Sequence, residues 1–90
     1  MAQAGEHQHG NEVTVTVFAP KEVDPKTFTF RINETVGAAA TEAATAFGYP
    51  PGTKATFKKD GKVLDATKPL AGAHVRDGDT LELVDIGGGV

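Results

Sequence analysis

Apolar and polar residues alternate strictly in Val13-Thr14-Val15-Thr16-Val17, and all five are β-branched. Alternation with period two puts one set of side chains on a buried face and the other on a wet one, which predicts a half-buried strand. The pattern returns in Thr27-Phe28-Thr29-Phe30-Arg31-Ile32, with Phe28, Phe30 and Ile32 on one face. The loop between the two runs holds Pro20, Asp24 and Pro25, so the pair reads as an antiparallel hairpin.

The period then lengthens. Val36, Ala39, Ala40, Ala43 and Phe47 recur at helical spacing, which predicts a helix over 35–47. Thr35 is suited to cap its start, Gly48 to take the left-handed position past its end, and Pro50-Pro51 forbids continuation. The buried stripe is mostly alanine, so this helix can lie close to whatever it covers. Ala55 and Phe57 then mark a third strand, Asp60-Gly61 a tight hairpin turn, and Val63-Leu64 a short return. A loop carrying Pro69, Leu70 and Val75 leads to a turn at Asp77-Gly78-Asp79 and a last strand, Thr80-Leu81-Glu82-Leu83-Val84.

A hairpin, a crossing helix and return strands bury one sheet face under one helix. The expected class is α+β, a β-grasp with a mixed sheet of four to five strands packed against one α-helix. The strands should supply Val13, Val15, Val17, Phe28, Phe30, Ile32, Phe57, Leu64, Leu81 and Leu83 to the core. The helix and loop should add Val36, Ala40, Ala43, Phe47 and Leu70. Residues 1–11 are small and polar and read as a disordered leader. The domain proper is expected over 12–85, with a flexible glycine tail over 86–90.

Composition narrows the function classes. Ninety residues make one domain, and a net charge of -3 argues against nucleic acid as the main partner. There is no cysteine, which removes disulfides, thiolate metal sites and cysteine nucleophiles together. No apolar run reaches membrane-span length, so the expectation is a cytoplasmic monomer without a membrane partner. His7 and His9 lie in the leader with no third ligand nearby, and His74 sits in a loop, so no metal or other cofactor is expected. Lys54, Lys58, Lys59, Lys62 and Lys68 gather around the third strand, where charge would protect a sheet edge. The sharper reading of these lysines is attachment of a further copy or an acidic partner. No nucleophile–base arrangement or phosphate-cradling loop is present, so the chain is not expected to be an enzyme.

Over about four-fifths of its length the chain resembles ubiquitin. The resemblance rests on the Thr35-capped helix, the Gly48-Tyr49-Pro50-Pro51 step, and Gly61-Lys62-x-Leu64. It continues through Asp77-Gly78-Asp79-Thr80-Leu81-x-Leu83-Val84 to the run Gly87-Gly88-Gly89. It implies a protein modifier, activated at Gly89 by an adenylating enzyme, passed to a conjugating enzyme and joined to amines of target proteins through an isopeptide bond. Gly87, Gly88 and Gly89 would thread a narrow channel that any Cβ would obstruct. Val90 stands beyond the reactive glycine, so a metalloprotease of the deubiquitinase kind is expected to cut between Gly89 and Val90.

The departures lie on the partner surface, taken as Lys58, Val84, Asp85 and Ile86. Ubiquitin has arginines just before its glycines where this chain has Asp85 and Ile86, and Lys58 replaces an apolar contributor to the ubiquitin patch while Val84 keeps one. The chain is in this respect similar to the ubiquitin-like proteins of bacterial ubiquitylation-type operons. Two other functions stay open: a sulfur carrier forming a C-terminal thiocarboxylate, and a ubiquitin-like interaction module that is never conjugated.

Overall fold

The computed structural model describes residues 11–86; most of the leader, and Gly87, Gly88, Gly89 and Val90, lie outside the described residues. The elements are β1 (Glu12–Phe18), β2 (Lys26–Arg31), α1 (Val36–Ala46), β3 (Ala55–Lys59), β4 (Lys62–Val63) and β5 (Thr80–Asp85). They form one five-stranded mixed sheet in the order β2-β1-β5-β3-β4. β1 runs antiparallel to β2 and parallel to β5, while β3 is antiparallel to both β5 and β4. The expected β-grasp is therefore the observed architecture, with α1 crossing one face of the sheet.

Both ends of α1 are closed by residues the sequence marks. Thr35 Oγ1 accepts from the Ala38 amide at 3.1 Å, and two more first-turn amides, Val36 and Gly37, donate to the Lys68 and Ala66 carbonyls of the loop beneath. That loop comes so near that a Cβ on Gly37 would stand 3.1 Å from both the Ala66 Cβ and its carbonyl oxygen. At the other end, Gly48 takes φ +87° and donates to the Thr45 carbonyl, and Tyr49 donates to that of Ala44. These paired bonds form a Schellman closure, and they aim the chain into Pro50-Pro51.

The core lies between α1 and the sheet. Val15, Val17, Val36, Phe57, Leu70, Leu81 and Leu83 are fully buried, and Ala39, Ala40 and Ala43 let the helix sit directly on them. Phe30 lies between Phe28 and Phe57, with ring centroids 5.6 and 6.1 Å away, and Phe47 closes the cluster against Phe28 at 6.2 Å. Three expected core residues are only partly buried. Phe28 and Ile32 belong to β2 and the turn after it, at the rim of the sheet, and Leu64 falls just past the two-residue β4. Conversely Ala19, Ala44, Ala55, Val75 and the hydroxyl-bearing Thr56 are buried.

The third strand is not an edge. β3 lies between β5 and β4, because the Asp60-Gly61 turn, with φ of 52° and 81°, folds β4 back along it. Lys58 and Lys59 are spent on ion pairs instead, with Glu82 at 3.6 Å and Asp79 at 2.9 Å. Among the described residues no helix is long and apolar enough to cross a membrane.

Candidate functional site

Strand register decides which candidate residues meet. Phe18 pairs with Glu82, Glu82 with Lys58, and Lys58 with Val63, so one row crosses four strands on the face away from α1. Phe18 and Val63 are 42% and 60% exposed, and the Lys58–Glu82 ion pair lies between them. Thr56 opposite Val84 forms the next row. Ile86, half exposed, continues that face, because its amide donates to the Lys54 carbonyl at 2.9 Å and prolongs the β3–β5 ladder. The outer face is thus apolar at its margins and ionic at its centre.

Three of the four surface candidates, Lys58, Val84 and Ile86, share this face. Asp85 does not. The pleat turns it to the side of Leu81 and Leu83, where it borders a groove of about 430 Å³ with Phe47, Tyr49 and Pro50. Gly87, Gly88, Gly89 and Val90 lie beyond the described residues. The sequence reading did not single out Phe18, Val63 or Glu82. The signal was available in the alternation, since Phe18 and Glu82 occupy outward positions of strands whose inward positions it had assigned.

The loop before β5 is held by charge. Lys59 Nζ contacts both Asp79 and the His74 carbonyl, the latter at 2.6 Å, and the Arg76 amide donates to Asp79 Oδ2 at 2.8 Å. Burial works to raise the Asp79 pKa, but the Lys59 and Arg76 contacts outweigh it and hold the carboxyl below its usual range. His74 is exposed and takes φ 65°, so its backbone carries the role and its imidazole faces water. At the far end of α1, Glu34 is pushed up to about 7 by burial, by a hydrogen bond shared with Glu42 and by the charge of Glu42. Among the described residues no three His, Cys, Asp or Glu side chains are grouped to hold a metal ion.

No protein-family model and no curated protein matches the chain. Solved structures do. A ubiquitin from Caldiarchaeum subterraneum is 25% identical with a TM-score of 0.71, over 88% of this chain and 99% of that one. The chain has the ubiquitin-like β-grasp fold. A structure described as molecular mimicry of SUMO that promotes DNA repair superposes with a TM-score of 0.74 at 16% identity, covering 88% of this chain and 98% of that one. A designed protein based on ubiquitin gives 0.71 at 19%, covering 88% and 94%. At those identities the last two likenesses speak to the fold alone. In sequence the glycine run begins two residues after Asp85, the end of β5, and the outer sheet face carries an ion pair at its middle.

Proposed function

We propose that this chain is a ubiquitin-like protein modifier whose reactive end is Gly89. The observation that carries the reading is a β-grasp body whose last strand is anchored to its end, Ile86 being tied to Lys54, and followed at once by three glycines. Glycine has no side chain to pack and the widest backbone freedom, so a run of glycines is a poor means of stabilising a fold. Such a run suits a partner that must grip an extended, side-chain-free peptide.

The chemistry is done to the chain by others. A processing protease hydrolyses the Gly89–Val90 peptide bond. The glycine carboxylate then attacks the α-phosphate of ATP, releasing pyrophosphate; an enzyme thiolate displaces AMP; a target amine displaces the thiol and forms the isopeptide bond. A metalloprotease fits the first step, because a glycine run lies flat along a protease edge strand and brings the carbonyl to the metal. The outer face of this chain, with Lys58 and Glu82 at its centre, fits a dedicated activating and conjugating pair of the kind found in bacterial ubiquitylation-type operons, working in the cytoplasm.

ATP–pyrophosphate exchange by the cognate activating enzyme tests the reading. A chain ending at Gly89 should support exchange and the 90-residue chain should not. Exchange by neither chain, with an enzyme active on another substrate, overturns it. Intact mass from the native host supplies a second test: loss of one valine supports the modifier, exchange of one oxygen for sulfur supports a sulfur carrier, and an unaltered chain supports an interaction module.

A further inference from the structure

A hollow of about 360 Å³ opens on the outer face, beside the row that holds Phe18 and the Lys58–Glu82 ion pair. Leu81 turns its side chain inward and leaves backbone as the floor, while Asp60 and Thr80 complete the rim. Phe18 is an exposed ring on which, among the described residues, no other ring or cation packs. Asp60 is exposed at φ 52° in the β3–β4 turn and has no ion pair among the described residues. Glu82 meets Lys58 through one oxygen, Oε1, at a long 3.6 Å. Two carboxylates thus face one ammonium, which leaves unbalanced negative charge beside a bare aromatic ring.

We propose that this hollow takes an arginine side chain of a partner protein, its guanidinium stacked on Phe18 and hydrogen-bonded to Glu82 and Asp60. The inference goes beyond the modifier reading, because it names what a partner brings to the outer face and holds whether or not the chain is conjugated. Charge favours it, since one added cation balances Glu82 and Asp60 against Lys58 and itself. Shape favours arginine over lysine. A guanidinium is planar and carries its donors in a fork, so it can lie on a ring while its edge bonds carboxylates. An ammonium is a compact, strongly hydrated point charge that does neither as well. An apolar side chain is excluded as the occupant, because it would strip water from three charges and return no hydrogen bond. The fold also holds the parts in place. Phe18 and Glu82 are register partners on β1 and β5, and the β3–β4 pairing fixes the turn that carries Asp60.

Capped pentapeptides with arginine, lysine or citrulline at the centre of four alanines are titrated into the 90-residue chain, with amide resonances followed by NMR. The arginine peptide should shift the amides of Phe18, Asp60, Leu81 and Glu82. It should bind at least about fivefold more tightly than the lysine peptide, with the uncharged citrulline peptide weaker still. Asp60→Asn keeps a residue type that tolerates φ 52°, and Glu82→Gln keeps the side-chain shape, so both variants should retain the fold. Each should weaken the arginine peptide by at least about threefold and leave the Phe57 and Leu83 amides in place. Phe18→Leu should bring arginine close to lysine, because stacking separates the two. Equal binding of the arginine and lysine peptides to the unaltered chain overturns the proposal, and so does arginine binding that none of the three variants weakens. ATP–pyrophosphate exchange by the Gly89-ended chain alongside equal peptide binding removes the arginine site and leaves the modifier reading standing. Arginine selectivity without exchange does the reverse.

Discussion

On the helix side of β3 and β5, Phe57, Leu81 and Leu83 have almost no exposure, while one residue further along the same strands Lys58, Glu82 and Val84 meet solvent. The pleat alone separates them. The inner set is fixed by volume, because Phe30, Phe57 and Phe47 must fill the space under an alanine-faced helix without a void. The outer set is free of that demand and can differ from ubiquitin without disturbing the fold. Fold and recognition are therefore written on alternate residues of one pair of strands. A 25% identical archaeal ubiquitin can share the first with this chain while leaving the second to vary.

The largest expected effect lies on the inner face. Phe57→Ala removes a fully buried ring and should cost about 3–5 kcal/mol, read by chemical denaturation. A loss under about 1 kcal/mol would mean that the two faces are not distinguished by packing. Thr56 sharpens the comparison because it belongs by register to the outer face and is nevertheless buried, with Oγ1 donating to the Leu64 carbonyl at 2.8 Å. Thr56→Val keeps the shape, strands that carbonyl, and should cost about 1–3 kcal/mol. Thr56→Ser should recover most of the loss.

Legibility in the sequence followed the same division. The Val13, Val15 and Val17 alternation, the Thr35 and Gly48 ends of the helix and the Asp60-Gly61 turn are local signals, and each corresponds to an observed strand, cap or turn. Burial of Ala19, Val75 and Thr56 depends on what passes over them, which no local period records. The charged third strand read as an edge because lysines mark edges, whereas strand order is a long-range property and puts β4 outside it. At the candidate site, sequence proximity grouped Asp85 with Val84 and Ile86, and only the pleat separates them into groove and outer face. Gly87, Gly88, Gly89 and Val90, on which the expected chemistry rests, lie outside the described residues.

A smaller effect is expected from pH, at the N-terminal end of α1. Burial first, then the hydrogen bond and charge of Glu42, raise the Glu34 pKa from 4.5 to about 7. The folded state thus holds a proton that the unfolded chain releases near 4.5, so stability falls as pH rises from about 4.5 to about 7 and stays lowered above. Much of Glu34 is solvated, which screens the penalty. Glu34→Gln should raise the Tm at pH 8 and leave it nearly unaltered at pH 4. An equal shift at both would assign the effect to packing and not to charge.

The smallest effect on stability, and the most informative on recognition, is expected at Lys58. Its ion pair with Glu82 is 3.6 Å long between side chains 36% and 56% exposed, a class that contributes about 0–1 kcal/mol. Lys58→Ile should therefore change stability by less than about 1 kcal/mol. A ubiquitin-binding domain that docks an apolar patch must strip water from both charges at the centre of the contact, so the unaltered chain should not bind one at ordinary ubiquitin affinity. Lys58→Ile removes one of those charges and joins an apolar side chain to Val63 within the row that also holds Phe18. Binding to the same domain should then rise by at least about tenfold, or 1.4 kcal/mol, in a calorimetric titration. Equal binding by both chains would mean that partners do not read the outer face at this row, and that the difference between the two faces ends at the fold.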